Sequence, residues 1–103
     1  MLQLLKKLLG GGPAVDYAAL VKQGGVIVDV RTPEEFARGH VRGAMNIPLD
    51  RLKKDAERIK ARGAVITCCA SGMRSASAAA QLRAMGFENV HNAGPWTRLR
   101  NIA

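Results

Sequence analysis

The chain has 103 residues, 48% of them hydrophobic, with 16 Lys and Arg against 8 Asp and Glu and a formal charge of +8. That length fits one domain able to bury about two-thirds of its unfolded surface, and the composition excludes a disordered chain. Only Tyr17, Phe36, Phe87 and Trp96 are aromatic, too few for a stacked nucleic-acid platform, so the core must come from Ala, Val, Leu, Ile and Met.

Met1, Leu2, Leu4, Leu5, Leu8 and Leu9 fall on one side of a helical wheel, with Gln3, Lys6 and Lys7 on the other. Gly10, Gly11, Gly12 and Pro13 then break the chain. Residues 1–12 therefore read as an amphipathic helix with a glycine hinge, docking on the domain or on a partner protein. A weak membrane-surface anchor is the alternative, but so short a helix carries too little apolar surface for stable insertion. No stretch reaches the roughly 18 apolar residues of a membrane span, and no secretory signal is visible.

Beyond the hinge the chain alternates between two periodicities. Asp16 is placed to cap a helix running to about Gln23, with Gly24-Gly25 as its stop. Val26 to Val30 is nearly all β-branched and reads as a buried strand. Thr32-Pro33-Glu34-Glu35 is a capping box opening a short helix that stops at Gly39. A brief strand is expected at Ala44–Asn46. The apolar stripe Leu52, Ala56, Ile59 then predicts a helix from about Arg51 to Arg62. Ala64 to Cys68 is a second buried strand, followed by an Ala-rich helix from about Ser75 to Met85. A strand near Asn89–His91 and a frayed, basic C-terminal turn complete the chain. Strands alternating with helices imply an α/β fold with a mostly parallel sheet covered on both faces.

The positive charges are spread along the whole chain, which favours a solvated basic surface attractive to small anions over a nucleic-acid footprint. Cys68 and Cys69 are adjacent, so they cannot form a disulfide framework and lack the spacing of a zinc site. They read as two free thiols in a reducing, cytoplasmic setting. Strand alternation points them to opposite faces, with Cys68 packed in the strand.

Ligands of open parallel sheets bind beyond the C-terminal ends of the strands. There stands Cys69-Ala70-Ser71-Gly72-Met73-Arg74, leading into a helix. Such a loop turns backbone N–H groups inward and adds the positive end of a helix dipole, which stabilises a thiolate. Gly72 lets the loop curl, and Arg74 adds a permanent cation. This describes a nucleophile with an anion cradle. Met73 and Ser71 are candidates for its mouth. Asp29 and Arg31 read first as a structural pair or as loop anchors, and His40 as a hydrogen-bonded structural histidine.

Three ordered segments carry a resemblance. Val26-Ile27-Val28-Asp29-Val30-Arg31, Gly39-His40-Val41-Arg42-Gly43-Ala44-Met45-Asn46-Ile47-Pro48 and Cys69-Ala70-Ser71-Gly72-Met73-Arg74-Ser75 resemble the successive signatures of the single-domain rhodaneses, a sulfurtransferase family. The resemblance covers roughly residues 14 to 98 and makes 13–103 a rhodanese-like domain. It implies a three-layer, doubly wound, mostly parallel sheet of five strands. It also implies that Cys69 is the nucleophile and forms a persulfide held by backbone N–H groups from Ala70 to Ser75, Met73 included. Arg74 would orient the loop or the anionic donor. Sulfur would pass from thiosulfate or a related donor to a thiol or cyanide, with no metal or organic cofactor. The partners implied are small sulfur anions and thiol acceptors.

Four residues separate Cys69 from Arg74, a shorter cradle than the five-residue spacing of related cysteine phosphatases. The family's usual Arg after the cysteine is Ala70 here, Arg42 replaces a usual Pro, and Asn92-Ala93-Gly94-Pro95-Trp96 replaces its Glu-Gly-Gly segment. The first change weighs against thiosulfate as donor. Two other readings compete. One is a non-catalytic binding module on the same fold. The other is a basic nucleic-acid or membrane-surface protein using Met1–Leu9. Whether Arg31 or Arg42 faces the site is a question for the tertiary structure.

Overall fold

The computed structural model describes residues 14–102. The expected helix over residues 1–12 lies outside them. Four parallel strands form the sheet among the described residues: β1 (Val26–Asp29), β2 (Met45–Asn46), β3 (Val65–Cys69) and β4 (Val90–Pro95), in the order β2-β1-β3-β4. The five strands implied by the resemblance are thus corrected to four. Residues 14–16, ahead of the first helix, join no strand, and Val15 is exposed.

Helix α1 (Tyr17–Lys22) begins where Asp16 accepts the Ala19 N–H at 3.0 Å. Helix α2 (Pro33–Ala37) carries the full capping box. The Thr32 hydroxyl accepts the Glu35 N–H at 3.2 Å, and the Glu35 carboxylate accepts the Thr32 N–H at 3.0 Å. These reciprocal bonds satisfy donors that a helix start leaves free.

The single helix expected over 51–62 is instead broken. A 3-10 turn (Leu49–Arg51), a short helix α3 (Leu52–Asp55) and a second 3-10 turn (Ala56–Arg58) follow one another, and Ile59 is extended. No side chain caps any of these pieces. The stripe nevertheless reaches the core, since Leu52, Ala56 and Ile59 are all buried. Spacings of three and four residues serve a chain of tight turns as well as an α-helix, so the buried face survives the change of winding.

Helix α4 (Met73–Ala84) starts two residues earlier than expected, with Gly72 at its N-cap in the left-handed region, φ +108°. It lays Ser75, Ala78, Ala79 and Leu82 against the sheet. The two faces of the sheet hold separate cores. Val28, Val30, Val65, Cys69, Ala78 and Leu82 belong to one, and Ile27, Ile66, Cys68 and Leu99 to the other.

The last strand runs to Pro95, longer than its sequence suggests, and it contains a bulge. Thr67 pairs with Asn92 but Cys68 pairs with Gly94, so Ala93 is the extra residue. The C-terminal segment is packed and not frayed. It forms a 3-10 turn (Trp96–Leu99) with Leu99 wholly buried, and the guanidinium groups of Arg31 and Arg100 lie over the Trp96 ring at 4.7 and 4.9 Å. Leu99 supplies apolar burial and the two arginines a cation–π stack, which together hold down a segment that local propensity leaves open.

Candidate active site

Strand β3 ends at Cys69 because Gly72, three residues on, turns the chain left-handed into α4. The turn aims two backbone donors back at the sulfur. The Gly72 N–H lies 3.0 Å from Cys69 Sγ and the Ser75 N–H 3.3 Å. The Ser75 hydroxyl is also 3.3 Å from Sγ, and it donates to the Gly72 carbonyl at 3.1 Å. The protonated thiol can donate to that hydroxyl oxygen. Once the thiol is ionised, rotation of the same hydroxyl gives the thiolate a third donor.

Burial by itself would raise the Cys69 pKa. The donors outweigh it: the Ser75 hydroxyl first, then the backbone N–H groups of Ser75, Gly72 and Ser71, so the thiol ionises below its ordinary range. Ser75 is held from behind as well, since the Thr67 hydroxyl donates to its carbonyl at 2.9 Å inside the core. Cys68 experiences the reverse. Burial foremost and the nearby Asp29 carboxylate push it up to about 12, while Arg31 offsets this only in part. Both thiols are free.

Arg74 is paired with a carboxylate. Its guanidinium makes a two-pronged pair with Glu35 on α2, at 2.7 and 2.9 Å. The Arg74 hydrogen bond comes first in lowering the Glu35 carboxyl to about 2. Glu35 therefore serves the α2 capping box and clamps the start of α4 at once. The sequence shows it only as a capping residue, because a contact across 39 positions leaves no periodic signal.

Arg31 is likewise committed. It is buried and bonds the Asp29 carboxylate through Nε and Nη2, the latter at 2.7 Å, and it donates to the carbonyls of Gly39 and Glu35. The Asp29–Arg31 pair is thus a loop anchor, as its structural reading expects. Asn46 ties β2 to this corner through the carbonyls of Asp29 and Arg31. His40 donates from Nδ1 to the Phe36 carbonyl at 2.7 Å and stacks on the Phe36 ring, which is a structural role. Arg42 is exposed in the turn before β2.

Ala70, Ser71 and Met73 are exposed above the buried sulfur, with Met73 81% exposed. A groove of about 420 Å³ flanks the loop on the Arg74 side, lined also by Val30, Pro48 and Leu49. A second of similar size lies around Arg62 and Phe87, and neither groove has a cysteine in its lining.

Fold and site define an α/β protein with a cysteine in a cradle of N–H groups at the C-terminal edge of a parallel sheet. The chain belongs to the rhodanese-like family: the family model described as Rhodanese-like domain matches residues 13–93. It is 41% identical over 66 residues to the uncharacterized protein YqhL of Bacillus subtilis (strain 168), covering 64% of this chain and 52% of that one. It is 40% identical over 72 residues to the thiosulfate sulfurtransferase PspE of Escherichia coli (strain K12), covering 65% and 66%. The chain thus spans about half to two-thirds of the length of these curated relatives. A solved structure described as rhodanese with anions from E. coli superposes with a TM-score of 0.65 at 36% identity, covering 71% of this chain and 88% of that one.

Proposed function

We propose that this domain is a sulfurtransferase that carries sulfane sulfur on Cys69. The observation that supports it most is the convergence of the Gly72 and Ser75 N–H groups on Sγ, at 3.0 and 3.3 Å. Donors arranged this way stabilise a thiolate before the reaction and the terminal sulfur of a persulfide after it. The kinship with a protein named thiosulfate sulfurtransferase supports the same chemistry.

In the proposed cycle, the Cys69 thiolate attacks the outer sulfur of thiosulfate or a related sulfane donor. The Sγ–S bond forms as the donor's S–S bond breaks, and the bonding pair leaves with sulfite. An incoming thiolate, or cyanide, then takes the outer sulfur from the Cys69 persulfide, and the electron pair returns to Sγ. Loop residues Ala70, Ser71, Gly72, Met73 and Ser75 frame the reacting sulfur, and Arg74 positions the loop through Glu35. Free thiols and persulfide chemistry both suit a reducing, cytoplasmic setting. Met1–Leu9 remains a proposed contact for a protein partner.

Cys69 is 0% exposed, an observation that favours a second reading, a rhodanese-fold module that binds without turnover. Intact mass separates the two. After incubation with thiosulfate and removal of excess donor, the sulfurtransferase gains one sulfur atom that a thiol reductant removes. The gain is expected to vanish in Cys69→Ser and persist in Cys68→Ser. No gain with thiosulfate or any other sulfane donor would overturn the proposal in favour of the binding module.

A further inference from the structure

A sulfane donor such as thiosulfate is an anion approaching a thiolate, so some cation must offset their repulsion. Two arginines of the signature segments are engaged elsewhere: Arg74 by both oxygens of Glu35, and Arg31 by Asp29 and two carbonyls. Position 70, next to the nucleophile, is Ala.

The bulge in β4 brings in another cation. Its extra residue, Ala93, has a carbonyl that accepts a hydrogen bond from Arg98 Nη1 at 3.3 Å. Asn92 Oδ1 closes the bend by accepting the Gly94 N–H at 2.9 Å. Gly94 then adopts φ +82°, with its missing side chain between the loop and Arg98. A Cβ there would lie 3.3 Å from Arg98 Nη1 and 3.9 Å from the Gly72 Cα. The guanidinium and the loop thus face each other across a residue with no side chain. Gly72 is the residue whose N–H binds Sγ. The Arg98 guanidinium nitrogen and the Gly72 Cα both lie within 4 Å of that Cβ position, so the two are closer together than the screening length of about 8 Å at physiological ionic strength. Arg98 pairs with no carboxylate among the described residues, so its charge is not cancelled locally.

We propose that Arg98 is the specificity-determining cation of this site, drawing anionic sulfur donors to Cys69 from across Gly94. The donor class it selects is a small sulfur oxyanion bearing sulfane sulfur. This rests on the sulfurtransferase reading for its biological meaning, while the attraction of anions to Cys69 is measurable without it.

The test compares the parent with Arg98→Gln and Arg98→Lys. Cys69 is alkylated with iodoacetate, an anion, and with iodoacetamide, its uncharged counterpart, at low and high salt. Arg98→Gln is expected to lower the iodoacetate rate about fivefold at low salt and leave the iodoacetamide rate unchanged, with the difference shrinking at high salt. Arg98→Lys should keep most of the preference. With thiosulfate as the probe, the loss in Arg98→Gln should appear mainly in KM and not in kcat. An unchanged ratio of the two alkylation rates would overturn the proposal. So would an equal fall in both rates, because it would mean that Arg98 only maintains the loop. If the parent accepts no sulfur from thiosulfate, the sulfurtransferase reading fails, and the alkylation ratio still decides the role of Arg98.

Discussion

Cys68 and Cys69 are neighbours in one strand, and both are 0% exposed, yet they are opposite in chemistry. Exposure does not separate them. Cys68 points into the core shared with Ile27, Ile66 and Leu99, near the Asp29 carboxylate, and burial keeps it protonated. Cys69 points to the face where the chain turns into α4, and N–H and O–H donors surround its sulfur. A buried thiol is inert or poised according to whether donors reach it, since burial penalises the charged form unless hydrogen bonds repay the lost hydration.

The largest expected effect tests that contrast directly. In the native protein at neutral pH, iodoacetamide should modify Cys69 faster than Cys68 by on the order of a thousandfold, because only the thiolate reacts. Peptide mass mapping over time checks this, and unfolding should make both sites reactive. Equal labelling would erase the distinction between the two faces.

Ser75→Ala removes the strongest of the donors holding the thiolate down. The pH profile of Cys69 alkylation should move to higher pH, with about a tenfold loss of rate at neutral pH. Cys68 should be unaffected. A profile that does not move would show that the backbone N–H groups suffice.

Gly72→Ala forces a side chain into the left-handed region at φ +108° and against the Gly94 Cα at 3.5 Å. Loss of about 1–2 kcal/mol in denaturant unfolding is expected, together with slower Cys69 alkylation as the Gly72 N–H swings away.

The smallest effect concerns the clamp between α2 and α4. The Glu35 pKa is depressed in the fold from 4.5 to about 2, so its contribution is complete above pH about 4.5 and is lost as pH falls toward 2. Glu35→Gln should flatten that acid limb of stability. At neutral pH it should cost under about 1 kcal/mol, since the pair is partly exposed to solvent. A stability curve with the same acid limb in the variant would show that other carboxylates carry it.

Much of the fold is legible in local chemistry. The β-branched runs at Val26 and Val65, the capping box at Thr32 and the Asp16 cap all act between residues a few positions apart, so sequence reports them. The sequence misleads where local rules are degenerate. Leu52, Ala56 and Ile59 suit a helix and a run of tight turns equally well, and the buried surface is the same in either. It is silent where contacts are distant. The Glu35–Arg74 clamp spans two helices, and the bulge at Ala93, whose carbonyl Arg98 bonds, is defined only by the pairing of β4 with β3. Trp96–Leu99 looks frayed until Leu99 finds the second core.

The sequence alone determined the family, the nucleophile candidate and the alternation that sends adjacent cysteines to opposite faces. Each depends on residue type and on spacing along a few bonds. The tertiary structure alone decided which charges are free. Arg31 and Arg74 are paired and Arg98 is turned toward the loop, because electrostatic partners are chosen by distance in space, and folding sets those distances between residues far apart in the chain.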